Sequence, residues 1–256
     1  MRSACSSRTW RESASPEGGR GLIAPRLILA SASPQRRAIL EQIGVPFTVR
    51  IPAVPELAQE PPAEVVLENA YRKAAAVAGI VSAGRQGGEA GASRAGGEAG
   101  AGAVGGEAGA GGLGGEAGAG GVDEVGGLPI LGVDTVVSLG ARIFGKPRDE
   151  AHAAEMLAAL AGRRHVVFSG LCLIEPGPAG GRTRTAAAQT VVEFRALDRS
   201  ALDAYVATGE WQGRAGAYAI QGVGATLVNR IEGDYLGVVG LPVSTLLDLA
   251  PWVMSG

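Results

Sequence analysis

The run GVDTVV sets one carboxylate, Asp134, among apolar and β-branched residues. Burying that charge without a partner is expensive, so Asp134 pairs with a Lys or Arg, holds a metal, or acts as a general base. A second group is SASPQRR, Ser31 to Arg37. Here Ser33 stands at a helix N-cap and Pro34 at N1. The free N–H groups of such a helix start suit an anion, and Arg36 and Arg37 add fork-shaped donors for phosphate oxygens. The same pattern also describes an ordinary capped helix with solvent-facing arginines. A third is GARIFGKP, Gly140 to Pro147. It fits the GxxxxGK of a P-loop, but Pro147 replaces the Ser or Thr that would hold magnesium. The flanks read as a hairpin and not as strand–loop–helix, which excludes a P-loop NTPase. Lys146 remains a cation close in sequence to Asp134. In the fourth, GRAGAYAIQG, small residues allow close backbone approach. Tyr218 and Gln221 could read a base there, since a Gln amide both donates and accepts.

The elements that must position these groups alternate between strand and helix. A short apolar strand at 27–30 precedes the Pro34 helix, whose apolar face is Ile39, Leu40 and Ile43 and whose stop is Gly44. A strand is expected at 47–51. From Pro62 to about Ile80, Val66, Leu67, Ala70, Ala74 and Val77 recur at helical spacing. A strand at 130–139 turns at Gly140-Ala141 into 142–144. Asp149 caps a helix through Leu160. Strands at 166–174 and 185–194 flank a Gly/Pro turn, a helix spans 198–208, a strand 225–230 and a last helix 244–249. This order implies an α/β domain with helices packed on a mixed sheet.

Taken in order, LASASPQRR, ENAYRKA, GVDTVV, FGKP, GRAGAYAIQG and VVGLP resemble the Maf family of nucleoside triphosphate pyrophosphatases, from about Leu27 to Val253. The AYAIQG wording resembles the branch acting on dTTP and UTP. The resemblance implies an inosine-triphosphatase-like mixed sheet in two lobes around a cleft, often in a homodimer. It implies hydrolysis of a nucleoside triphosphate to the monophosphate and pyrophosphate, with a divalent cation such as Mg or Mn. It assigns Asp134 as the proton acceptor for the attacking water. Ser31, Ser33, Arg36, Lys73 and Lys146 become phosphate-binding residues, Glu56 and Asp134 metal ligands, and Gln35, Thr135 and Gln221 the positions linked to base choice. Gln35 departs from the Arg that the branch carries directly after the Pro, which points to a broader substrate range. A nucleotide-binding regulator of division or septum formation without turnover is the alternative reading. The carboxylate and two lysines together favour the enzyme.

Composition bounds the rest. With 23 basic and 25 acidic residues and 4% aromatics, a nucleic-acid partner and a polybasic membrane anchor are excluded. Cys5 and Cys172 are the only cysteines, and His152 and His165 the only histidines, so neither a disulfide scaffold nor a zinc site is expected. Cys172 lies in an apolar strand and reads as inert. Residues 1–25 lack the apolar stretch of a signal peptide and read as a disordered leader. No apolar run approaches the ~20 residues of a membrane span, and a cytoplasmic protein is expected. Many of the 42 glycines fall in a nine-residue repeat at 87–122: GGEAGASRA, GGEAGAGAV, GGEAGAGGL, GGEAGAGGV. It lacks the Asp ligands of calcium-binding nonapeptides. It also lacks the apolar content to offset its ordering entropy. A single domain at 26–254, interrupted by a disordered insert at 84–127, is the expected organisation.

Overall fold

Burial sorts the strands before topology does. In the computed structural model, which describes residues 26–58, 61–91, 127–177 and 181–254, the strands β1 (Leu27–Ala30) and β3 (Ile130–Leu139) are buried almost throughout. Strands covered on both faces read as continuous apolar runs, and these two lie in the interior of a seven-stranded mixed sheet. The order is β2 (Phe47–Val49), β1, β3, β5 (Arg164–Glu175), β6 (Arg182–Phe194), β7 (Val228–Glu232), with β4 (Arg142–Phe144) hairpinned onto β3. β1 runs parallel to β2 and β3; the remaining pairs are antiparallel. The register sets Asp134 opposite Gly170 and Thr135 opposite Ser169. Ala30 lies beside Gly132, so the turn after β1 emerges next to Asp134.

One face of the sheet carries α2 (Pro62–Gly91). Its Val65, Val66, Ala70, Ala74 and Val77 are fully buried, each valine contributing roughly 1.5–3 kcal/mol. The helix lies close because the strands beneath it carry no side chain at two positions, Gly132 and Gly170. A Cβ on Gly132 would come within 2.0 Å of the Ala70 carbonyl oxygen, and one on Gly170 within 2.3 Å of that of Val66. The other face is covered by α1 (Pro34–Gln42) and α6 (Val243–Leu249) at one end. At the other end it is covered by α3 (Glu150–Leu160) and α4 (Arg199–Val206).

Most expected elements appear within two or three residues, with four differences. The strand expected at 47–51 ends at Val49. The strand expected at 225–230 begins only at Val228, because 222–227 is wound into a 3₁₀ turn closed by the Glu210 carboxylate, which accepts from the N–H groups of Val223 and Gly224. A five-residue helix, α5 (Tyr235–Val239), is capped by Asp234, which accepts from Leu236 N at 2.8 Å. Helix α2 continues past Ile80 to Gly91, into the first repeat; no proline stands between Pro62 and Pro129 to stop it. The leader, Cys5 and the remaining repeats lie outside the described residues.

Candidate active site

Stretches from along the chain converge on a cleft of ~580 Å³: the start of α1, the segment after β2, mid-α2, the middle of β3, Lys146 beyond β4, Val167 of β5, the 212–221 loop and Val238–Gly240. The ten residues that the family resemblance assigns to the site all line it: Ser31, Ser33, Gln35, Arg36, Glu56, Lys73, Asp134, Thr135, Lys146 and Gln221.

Asp134 is 3% exposed, and its partners resolve the question posed by a carboxylate in an apolar strand. Lys73 Nζ donates to Oδ1 at 2.6 Å and Asn69 Nδ2 to Oδ2 at 3.0 Å. Asn69 and Lys73 are one turn apart on α2, on the stripe adjoining its apolar face. Lys73 also donates to Glu56 Oε1 at 2.8 Å, and Lys146 to Glu56 Oε1 and Oε2 at 3.0 and 3.1 Å. Burial alone would push the Glu56 carboxyl up. The hydrogen bonds and charge of Lys73, then of Lys146, overcome it and hold Glu56 at about 2. The ammonium of Lys73 therefore bridges both acidic groups.

Arg36 is buried beside them. Its Nε donates to the Gly240 carbonyl at 2.9 Å, Nη1 to Ser31 Oγ at 2.9 Å and Nη2 to Thr135 Oγ1 at 3.2 Å. Burial pushes the guanidinium below its ordinary value, while Asp134 and Glu56 pull it back up; it remains a cation. Three of its N–H groups are committed to protein, so Arg36 ties α1, α5 and β3 together as well as lending charge. Thr135 continues the network through Ser169, whose hydroxyl donates to the Gly237 carbonyl at 2.9 Å.

Two sequence expectations at the helix start change. Ser33 occupies the N-cap, but its side chain makes no cap; Oγ donates to Gln35 Oε1 at 3.0 Å. The first turn of α1 is left without a side-chain acceptor, and that turn lines the cleft. Arg37, paired with Arg36 in the sequence reading, does not line it.

The 212–221 loop is fixed from outside the cleft. Ala219 N donates to Tyr205 Oη at 2.9 Å, and Gly216, at φ +74°, donates to the Gly145 carbonyl beside Lys146. Tyr218 lines the cleft with its hydroxyl 3.0 Å from Nε2 of buried His165. Cys172 takes no part. It is buried under α2, and burial pushes its thiol up to about 12.

Among the described residues no three His, Cys, Asp or Glu side chains gather as a metal cage. Glu56 and Asp134 are a two-carboxylate set. That suits a hard cation that takes its remaining ligands from water and phosphate oxygens. Asn69 and Ser169 were missed by sequence reading: Asn69 is uncharged and lies beside the apolar stripe of its helix, and Ser169, although it interrupts the apolar run 166–174, is small and uncharged.

The family Maf-like protein matches residues 26–251. The chain is 36% identical over 226 residues to the dTTP/UTP pyrophosphatase of Symbiobacterium thermophilum, covering 88% of this chain and 92% of that one. To the dTTP/UTP pyrophosphatase of Moorella thermoacetica it is 38% identical over 229 residues, covering 88% and 93%. To that of Gloeobacter violaceus it is 38% identical over 226 residues, covering 88% and 94%.

Proposed function

The chain belongs to the Maf family, and from that premise we propose that it hydrolyses nucleoside triphosphates, dTTP and UTP foremost, to the monophosphate and pyrophosphate. The observation that carries this is the meeting in one cleft of a buried carboxylate, Asp134, with Lys73, Lys146, Arg36 and an uncapped helix start. A triphosphate brings three to four negative charges, and fixed positive groups aimed at it stabilise charge as it develops on the leaving group. The start of α1 takes phosphate oxygens on its free N–H groups. Lys146 and Lys73 exchange a carboxylate partner for phosphate. Asp134 orients a water toward the α-phosphorus and accepts its proton. The bond from that phosphorus to the bridging oxygen breaks, and its electron pair leaves with pyrophosphate. Glu56 and Asp134 would hold a divalent cation together with phosphate oxygens. When bound, the cation supplies neutralisation of the triphosphate charge.

The base meets Gln35, Thr135 and Gln221, with Tyr218 alongside. We read the two apolar clusters, around α1 and α6 on one side and α3 and α4 on the other, as the two lobes that flank the cleft. The test is pyrophosphate release from dTTP, UTP, CTP, GTP and 7-methyl-GTP, with Asp134→Asn alongside. Release from dTTP and UTP, lost by about 10²-fold or more in Asp134→Asn with nucleotide affinity kept, is expected. Binding without release from any member of the panel would support the regulator instead.

A further inference from the structure

We propose that Asn69 is a positioning residue of this site, its one side-chain amide setting both the orientation of Asp134 and the place of the segment that carries Glu56. The proposal rests on the reading that Asp134 takes part in turnover. Asn69 is 2% exposed in the interior of α2, where an asparagine is a poor helix former. It does not spend its polar atoms on its own helix. Oδ1 accepts from Leu57 N at 2.8 Å, while Nδ2 donates to the Leu57 carbonyl at 3.1 Å and to Asp134 Oδ2 at 3.0 Å.

The direction of the amide is not interchangeable. A backbone N–H only donates and a carbonyl only accepts, so Leu57 dictates which end of the amide faces which way. The second N–H of Nδ2 is then delivered to Asp134. The other oxygen of Asp134 accepts from Lys73, and Lys73 also holds Glu56, the neighbour of Leu57. The contacts close a ring: Asn69, Asp134, Lys73, Glu56, Leu57 and back to Asn69. The described part of 50–58 has no helix or strand of its own, so this ring fixes its carboxylate in the cleft. Without Asn69, Asp134 keeps one donor and can rotate about it. A misplacement of about 1 Å in a reacting group can cost about 10²-fold.

Asn69→Asp and Asn69→Ala separate this role from packing. Asp has the shape of Asn and keeps the acceptor for Leu57 N, but turns an oxygen toward Asp134. Ala removes every contact and leaves a hole. Positioning through Asp134 therefore ranks kcat as wild type, then Ala down by about tenfold or more, then Asp lower still, with KM for dTTP within about threefold. A packing role ranks Asp above Ala. Melting temperatures are read in parallel, and Asn69→Ser takes the place of Asn69→Ala if the latter does not fold.

The second readout is a double-mutant cycle. In an Asp134→Asn background, Asn69→Ala is expected to change the residual turnover by less than about twofold, because the group it positions is already gone. Asn69→Asp turning over as fast as Asn69→Ala or faster, or losses that multiply in the double variant, would overturn the proposal. If Asp134→Asn itself turned over like wild type, the reading of Asp134 would fall instead, so the two failures are told apart.

Discussion

Gln35 lines the cleft with its amide oxygen already engaged by the Ser33 hydroxyl. Replacing it by Arg does two things at once. It adds a permanent charge and planar fork, and it removes the acceptor of Ser33, freeing that hydroxyl to cap α1. Gln35→Arg is expected to sharpen the preference for dTTP and UTP over CTP and GTP by about 1–3 kcal/mol, the value of one charge-assisted hydrogen bond, read as ratios of kcat/KM. Unchanged ratios would mean that position 35 does not touch selectivity. At this scale the sequence was most legible where a residue type is out of place. Asp134 in an apolar strand and Lys146 beside a hairpin both announce themselves. Asn69 does not, because a neutral polar residue in a long helix has many ordinary explanations, and its partner Leu57 is engaged only through backbone atoms. Ser33 was legible as a position and not as a bond, since the competing acceptor, Gln35, is a side chain two residues away.

Elements explain how the chemistry is held in register. Helix α2 rests on Gly132 and Gly170, and it carries both Asn69 and Lys73. Gly132→Ala sets a Cβ against the Ala70 carbonyl, a backbone atom that cannot turn aside. The helix must lift, at about 1–3 kcal/mol or more for overpacking, and both side chains leave Asp134 with it. A lowered melting temperature together with lost turnover is expected; a melting temperature unchanged within about 1 °C would show that the helix can yield locally. A second element-level device is the cluster of His165, Phe194 and Tyr218, whose rings meet edge to face. Burial pushes His165 down to about 4 from its ordinary 6.5. The unfolded chain therefore binds the proton first. The stability this neutral histidine allows is fully present above pH 6.5 and is lost as pH falls toward 4, by roughly 3 kcal/mol. Urea unfolding at pH 7 and 4.5 is expected to show a smaller difference for His165→Gln than for wild type. Helices α3 and α4 were legible because Asp149 and Asp198 cap them by side chain. Helix α5 was not, being a single turn with Gly237 in its middle.

For the whole molecule, local patterns gave the class of fold but not the order of its strands. Nothing near β1 says that its parallel neighbour β3 begins a hundred residues later, beyond the repeats; that pairing is decided by burial on both faces of the sheet. The segment 92–122, in which 23 of 31 residues are Gly or Ala and only Val104, Leu113 and Val122 are larger apolar residues, offers little to bury. Its removal, with Gly91 retained as the end of α2, is expected to leave pyrophosphate release within about twofold and the melting temperature within a few degrees. Loss of either would assign the repeats a structural part. At the opposite side of the sequence, Arg26 Nη2 donates to the Trp252 carbonyl at 3.0 Å, and Trp252 Nε1 to Glu175. The first and last parts of the fold thus meet in space, and the direction in which the chain is threaded becomes a choice. A circular permutant that joins residue 254 to residue 26 through a short linker, and opens within 92–122, should rebuild the same sheet around the same cleft.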